Sequence, residues 1–384
     1  MRVLHLLSDY RWTGIAEPVA QLVATQRRLG VTADLACRRP PRHAPTGRIR
    51  FVVDHARRLG IEPLTDFRLN RTRRLVGTLL DVQRLSHHLK RQRVDVVHAH
   101  RPQDHLLGGL AARRANGPLL VRTNHTCAPL QSTLGHRLSL RRWTDAYIGF
   151  SRRAADRDAA VFRLRSEQVF MIHSSIDLER FDADSPRRDV RPELGLGPEH
   201  VVGGIVARLQ PHRRFDVLFE AIALARRDVP SLRFVIIGSG TDFDRVAREP
   251  MARLDLTDAI VLAGHRDDDY VDILASLDFN VLLMPGSDGT CRAVREAMAM
   301  GNPVITSRLG ILPELVPHGH AGLTVGDTPA DLAEAIVALA SDTERRRRMG
   351  AAALTHARQM FQLDRQAKAV IDVYERLLAR RSNG

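Results

Sequence analysis

Residues 284–307 read MPGSDGTCRAVREAMAMGNPVITS and hold side chains spaced for chemistry on an anion. Asp288 and Glu296 bracket a glycine-containing turn that opens a helical pattern near Cys291. The first N–H groups of a helix lack intrahelical acceptors, and the dipole there is positive, so the backbone of Gly289, Thr290 and Cys291 can receive a phosphate or diphosphate. The two carboxylates can accept hydrogen bonds from neutral hydroxyls, or serve only as helix cap and dipole partner. The thiol of Cys291, beside Arg292 at a helix start, is expected to be acidified and readily alkylated.

Other candidates follow strand-like runs. A second strand pattern begins with VVGGIVARL and ends in Arg208, with Arg213 five residues on, before a helical pattern over 215–226. Guanidinium groups at a strand end can bind phosphate bidentately. Gly238, in Gly238-Ser239-Gly240, closes a second buried run, and Gly264 with His265 closes a third, where backbone groups can face a nucleobase. Asp267, Asp268 and Asp269 carry oxygen ligands of the kind a divalent cation takes. They directly precede the helical pattern over 270–277, so they read as dipole partners, and no metal is expected. In the first half, Gly14 sits between a strand pattern over 1–8 and a helical one over 15–29, either as a turn residue or to let a ligand approach. His125 follows the run LLVRT. An imidazole there can hydrogen-bond a sugar hydroxyl and titrate near neutrality. His98 and His100, in HAH, are weaker candidates.

Positioning these residues requires strands whose carboxyl ends lie side by side. Strand and helix patterns alternate through the chain in two successive series, which predicts an α/β protein of two doubly wound, Rossmann-like domains. The expected boundaries are 1–180 and 181–362, with the polar, proline-bearing run 183–200 as a linker. A helix over 68–93 carries Leu75, Leu79, Leu85 and Leu89 at helical spacing among arginines. It is either a solvated amphipathic helix or one that lies on a membrane surface.

The central stretch resembles the acidic-x7-acidic signature of the retaining, nucleotide-sugar-dependent glycosyltransferases of family 4. Glu296, Ala297, Met298, Ala299, Gly301, Pro303 and Val304 match it, whereas Asp288, Thr290 and Cys291 stand where the family carries Glu, Phe and Gly. Arg208 and Arg213 resemble the Arg and Lys that clasp the donor diphosphate, with Arg214 at a usual Gly. The resemblance implies the GT-B architecture, two domains facing across a donor cleft, with a last helix over 363–384 packing back on the first domain. It implies donor contacts from Gly14, Arg208, Arg213, Gly238, Gly264, His265, Gly289, Thr290, Cys291 and Glu296, the last on the ribose. His125 and Asp288 are the candidate catalytic residues at the donor sugar. The implied reaction moves a sugar from a nucleotide-diphosphate-sugar to an acceptor hydroxyl with retention, without a metal or other cofactor. An epimerase of the same fold is the alternative.

Charge is unevenly spread: residues 1–180 hold 32 Lys and Arg against 15 Asp and Glu, the rest 26 against 29. The basic half suits an anionic acceptor, such as a phosphorylated glycan or lipid-linked sugar, or an acidic membrane surface. Only two of the 58 basic residues are Lys, so arginine abundance alone accounts for part of this. Nucleic acid is disfavoured as a partner because aromatic residues make up 5% of the chain, too few for stacking platforms. Three cysteines without a CxxC pair argue against a disulfide framework and a structural zinc. The initial apolar run is short and meets Asp9 early, so a cytoplasmic protein, at most peripheral to the inner face of the plasma membrane, is expected.

Overall fold

The computed structural model describes residues 1–41, 50–69, 75–126, 130–285 and 291–382. They divide into two compact units, one formed by Met1–Ser175 with Leu363–Gly384, the other by Ile176–Ser287 and Cys291–Gln362.

In the first unit six strands form one sheet: β1 (Arg2–Leu7), β2 (Thr32–Cys37), β3 (Val96–Ala99), β4 (Leu119–Asn124), β5 (Ala146–Gly149) and β6 (Val169–Met171). Their order is β2-β1-β3-β4-β5-β6, and every pairing is parallel. Helices cover both faces of such a sheet, so its inner strands are buried, polar positions included; β3 and β4 are buried along their whole length. The chain reverses its winding between β1 and β3, and the crevice at their carboxyl ends is where an open α/β sheet binds ligands. Register sets His5 beside His98 across that boundary. The helix Leu363–Ser382 returns to this unit, burying Val370, Val373 and Tyr374 in the same cluster as Val3 and Leu7 of β1.

The helix over 68–93 is observed as Leu75–Arg91. Leu85 and Leu89 are buried against Leu4, Leu6 and Val97, while Leu79 is 68% exposed. The core therefore takes half of the leucine stripe that a membrane surface would need.

The second unit repeats the architecture with β7 (Val201–Val206), β8 (Leu232–Ile237), β9 (Ile260–Gly264), β10 (Phe279–Leu282), β11 (Val304–Ser307) and β12 (Gly322–Val325). The order is β12-β11-β10-β7-β8-β9, again parallel, with the switch point between β7 and β10. Gly203 and Gly204 of β7 make room for apolar side chains: a Cβ on Gly203 would lie 2.5 Å from the Phe234 ring. The run 183–200 is not a loose linker. Val190 and Leu196 are buried, and Arg191 donates to the carbonyl of Ser276 and pairs with Asp278 at 3.0 Å.

Candidate active site

In the second unit, three loops at the carboxyl end of the sheet are bonded into one platform. The loop leaving β7 carries an exposed Arg208 and, in a short turn Pro211–Arg213, the half-buried Arg213. Arg213 Nη1 donates to the carbonyl of Met284 at 3.2 Å, linking the ends of β7 and β10 across the switch point. The N–H of Leu209 donates to Ser239 and that of Gly238 to Gly264, so the β8 and β9 loops brace the loop of Arg208. Gly238 and Gly240 have a packing reason to be glycine. A Cβ on either would lie 2.0 Å from the carbonyl oxygen of Ala207 or Leu209.

Gly264 has φ +72°, which suits glycine, and the neighbouring His265 is exposed and lies 3.3 Å from Asp267. Asp269 pairs with Arg266 at 3.1 Å and precedes the helix Tyr270–Ala275. Arg214 heads the helix Phe215–Ala225 in the left-handed conformation, φ +61°, and Cys291 heads Arg292–Ala299 at φ +47°. Both occupy positions where the resembled family has glycine, and the backbone keeps the conformation that glycine favours.

The thiol of Cys291 differs from the sequence expectation. The residue is 3% exposed, so access rather than acidity governs its alkylation. Glu296, on the second turn of its helix, is also buried. Tyr270 donates its hydroxyl to Oε2 at 2.6 Å, and Arg292 Nε lies 2.7 Å from Oε1. Burial first, and the adjacent carboxylate second, push the Tyr270 hydroxyl well above its usual range and keep it a donor. Tyr270 gives no sign in the sequence of a partner 26 positions away. Asp288, Gly289 and Thr290 lie outside the described residues.

In the first unit, Gly14 is exposed in the turn before the helix Ala16–Arg28. His125 immediately follows β4 and is 4% exposed, its Nε2 2.9 Å from His100 Nδ1 and its ring edge-on to Phe150. Its expected titration near neutrality is overturned: burial, then Arg122 and Arg101, hold it down to about 3, so the ring is neutral at physiological pH. Nearby, Asp104 accepts from the N–H groups of Ser8 and Arg101, and Arg101 pairs with Asp9, tying the ends of β1 and β3 together. His5 and Gln26 join His125 through His100. Only the alternation in HAH, which turns His98 and His100 to one face of a strand, hints at this in the sequence.

Comparison with known proteins decides the family. Residues 12–180 match the description Glycosyltransferase Family 4 and residues 200–342 match Glycosyl transferases group 1. A D-inositol 3-phosphate glycosyltransferase of Saccharomonospora viridis is 30% identical over 311 residues, covering 74% of this chain and 70% of that protein. The chain is a family 4 glycosyltransferase. A protein of the same name from Streptomyces bingchenggensis is 31% identical over 305 residues, 73% of this chain; the chain spans 66% of that relative's length. Two solved structures share the fold of this glycosyltransferase. A Rickettsia africae glycosyltransferase superposes with a TM-score of 0.83 at 16% identity over 98% of both chains. Anabaena Alr3699/HepE in complex with UDP gives 0.79 at 19% identity, with 100% of both chains covered. Among the described residues no helix is long and apolar enough to cross a membrane.

Proposed function

We propose that this glycosyltransferase moves a sugar from a nucleotide-diphosphate-sugar to the hydroxyl of an anionic or lipid-linked acceptor, with retention and without a metal. The observation that carries this reading is the pair Arg208 and Arg213 on the loop leaving β7 at the switch point of the second sheet, with Arg213 bonded across to the end of β10. As the glycosidic bond breaks, negative charge grows on the leaving diphosphate, and fixed guanidinium groups beside a helix N-terminus stabilise it. In this role Gly289, Thr290 and Cys291 offer N–H groups to the diphosphate, Glu296 holds the ribose, Gly238, Gly264 and His265 line the base, and Asp288, Gly14 and His125 meet the sugar.

For the acceptor, the support is a pocket of about 610 Å³ in the first unit, lined by Arg38, Arg39, Arg68 and Arg84 together with Thr65, Asp66 and Phe67. A phosphate-bearing acceptor agrees with that lining and with the name of the curated relatives. The reading places the protein on the cytoplasmic side, where nucleotide sugars are used for cell-envelope glycans. The relatives' transferase names favour transfer over epimerisation.

A thermal-shift series with nucleoside diphosphates tests the donor site, because a ligand that binds only the folded state raises Tm. One nucleoside diphosphate is expected to raise Tm equally with and without EDTA, and Arg213→Ala to abolish the shift while leaving the unliganded Tm within a few degrees. Consumption of donor without acceptor would replace transfer by epimerisation, and a product with inverted anomeric configuration would remove retention.

A further inference from the structure

The first unit contains a buried line of polar side chains that the donor chemistry does not itself require. His5 Nε2 lies 2.8 Å from Gln26 Oε1, His5 Nδ1 lies 3.0 Å from His100 Nε2, and His100 Nδ1 lies 2.9 Å from His125 Nε2. Beyond Gln26, its amide nitrogen lies 3.4 Å from the Tyr374 hydroxyl, which meets His98 Nδ1 at 2.5 Å, and His98 Nε2 meets Thr123 at 2.6 Å. The four imidazoles are at most 4% exposed. Among the described residues, His125 Nδ1 has no hydrogen-bond partner.

A neutral imidazole donates from one nitrogen and accepts at the other, so a chain of them has a direction. Burial supplies the neutrality: it holds His5 down to about 4 and His125 to about 3, and lowers His98 and His100 well below their usual range. The amide of Gln26 supplies the direction. With its N–H₂ toward Tyr374, its oxygen accepts from His5 Nε2–H, His5 Nδ1 then accepts from His100 Nε2–H, and His100 Nδ1 from His125 Nε2–H. Among the described residues one bond remains undetermined, at His125 Nδ1, and that nitrogen carries a lone pair. Reversing the Gln26 amide would invert every member and turn Nδ1 into a donor.

We infer that Gln26, His5 and His100 are positioning residues that hold His125 as its Nε2–H tautomer and present Nδ1 as a fixed acceptor for a hydroxyl of the donor sugar. This rests on the reading of His125 as a sugar-binding residue. The rival for the same residues is a metal, since His5, His98 and His100 bring ligand nitrogens within 4.8 Å of one another. Both nitrogens of His98 are already engaged by Tyr374 and Thr123, and the His5–His100 contact is itself a hydrogen bond, which an ion between them would break.

The test is the tautomer itself, read from nitrogen shifts of isotope-labelled histidine in the full chain near neutral pH. His5, His100 and His125 are expected as single Nε2–H tautomers. A proton on His125 Nδ1, averaging between both nitrogens, or a stoichiometric metal in the purified protein overturns the inference. Gln26→Leu removes the direction-setting group two rings away from His125. It is expected to average the His125 tautomer and lower the transfer rate about tenfold, at unchanged nucleoside diphosphate affinity; an unaltered tautomer overturns the inference. Should that variant not fold, the wild-type spectrum alone decides. His125→Ala separates the two claims. Full transfer activity in it would remove the sugar-binding role of His125, whereas the wild-type tautomers report on the relay either way.

Discussion

Glu296 is buried structure in the second unit, and in the proposed function the same carboxylate is also a ligand contact. Tyr270 and Arg292 hold its two oxygens, yet each oxygen has two lone pairs, so a ribose hydroxyl can still find an acceptor there. Glu296→Gln keeps the shape and an acceptor for Tyr270 but removes the charge facing Arg292. A hydrogen bond to a charged group is worth roughly 1.5–3 kcal/mol, so nucleoside diphosphate affinity is expected to fall about ten- to a hundredfold by calorimetry, with a small change in Tm. Lower Tm at wild-type affinity would return Glu296 to a structural role. The spacing of acids in the sequence marked this residue, but its partner Tyr270 was hidden, because side-chain pairs between separate helices leave no local pattern.

The elements around the platform of the second unit were legible where apolar runs are continuous, as in VVGGIV and LRFVII, since parallel strands are buried on both faces. Turn geometry was less legible. At Arg214 and Cys291 the residue type argues against positive φ, and the conformation follows instead from helices that must start at these points. An L-residue in the left-handed region costs about 1–2 kcal/mol. Arg214→Gly relieves that cost but gives up the Arg214–Asp327 ion pair, worth about 0–1 kcal/mol, and adds glycine's chain entropy of roughly 0.5–1 kcal/mol. Its stability in urea is therefore expected to stay within about 1 kcal/mol of wild type. Arg214→Val, branched at Cβ, is expected to lose about 1–2 kcal/mol or more. Equal midpoints for the two variants would mean that this turn is not strained as described.

At the scale of the molecule, two doubly wound units follow from two series of alternating strand and helix patterns, but the polar interior of the first does not. His5 interrupts an apolar strand, and HAH ends another; only the register of β1 on β3 brings them together. That interior makes stability depend on pH. Burial lowers His5 to about 4 and His125 to about 3, and lowers His98, His100 and His105 well below the ordinary 6.5. Above the unfolded value neither state holds these protons and the folded state keeps its full stability. As pH falls below that value, only the unfolded chain takes them up, at ~1.4 kcal/mol per pH unit for each group, until the folded values are reached. Asp104 opposes this in part: burial raises it to about 6, so the folded state gains its proton first. The net loss between about pH 7.5 and about pH 5.5 is expected to be on the order of 5 kcal/mol, a large part of a typical folding free energy. Urea unfolding at the two pH values measures it. His105→Asn, which removes a buried histidine bonded to Thr144 and outside the relay, should flatten the difference by about 1.4 kcal/mol. Equal midpoints at both pH values in the wild type would show that these histidines are not held neutral by the fold.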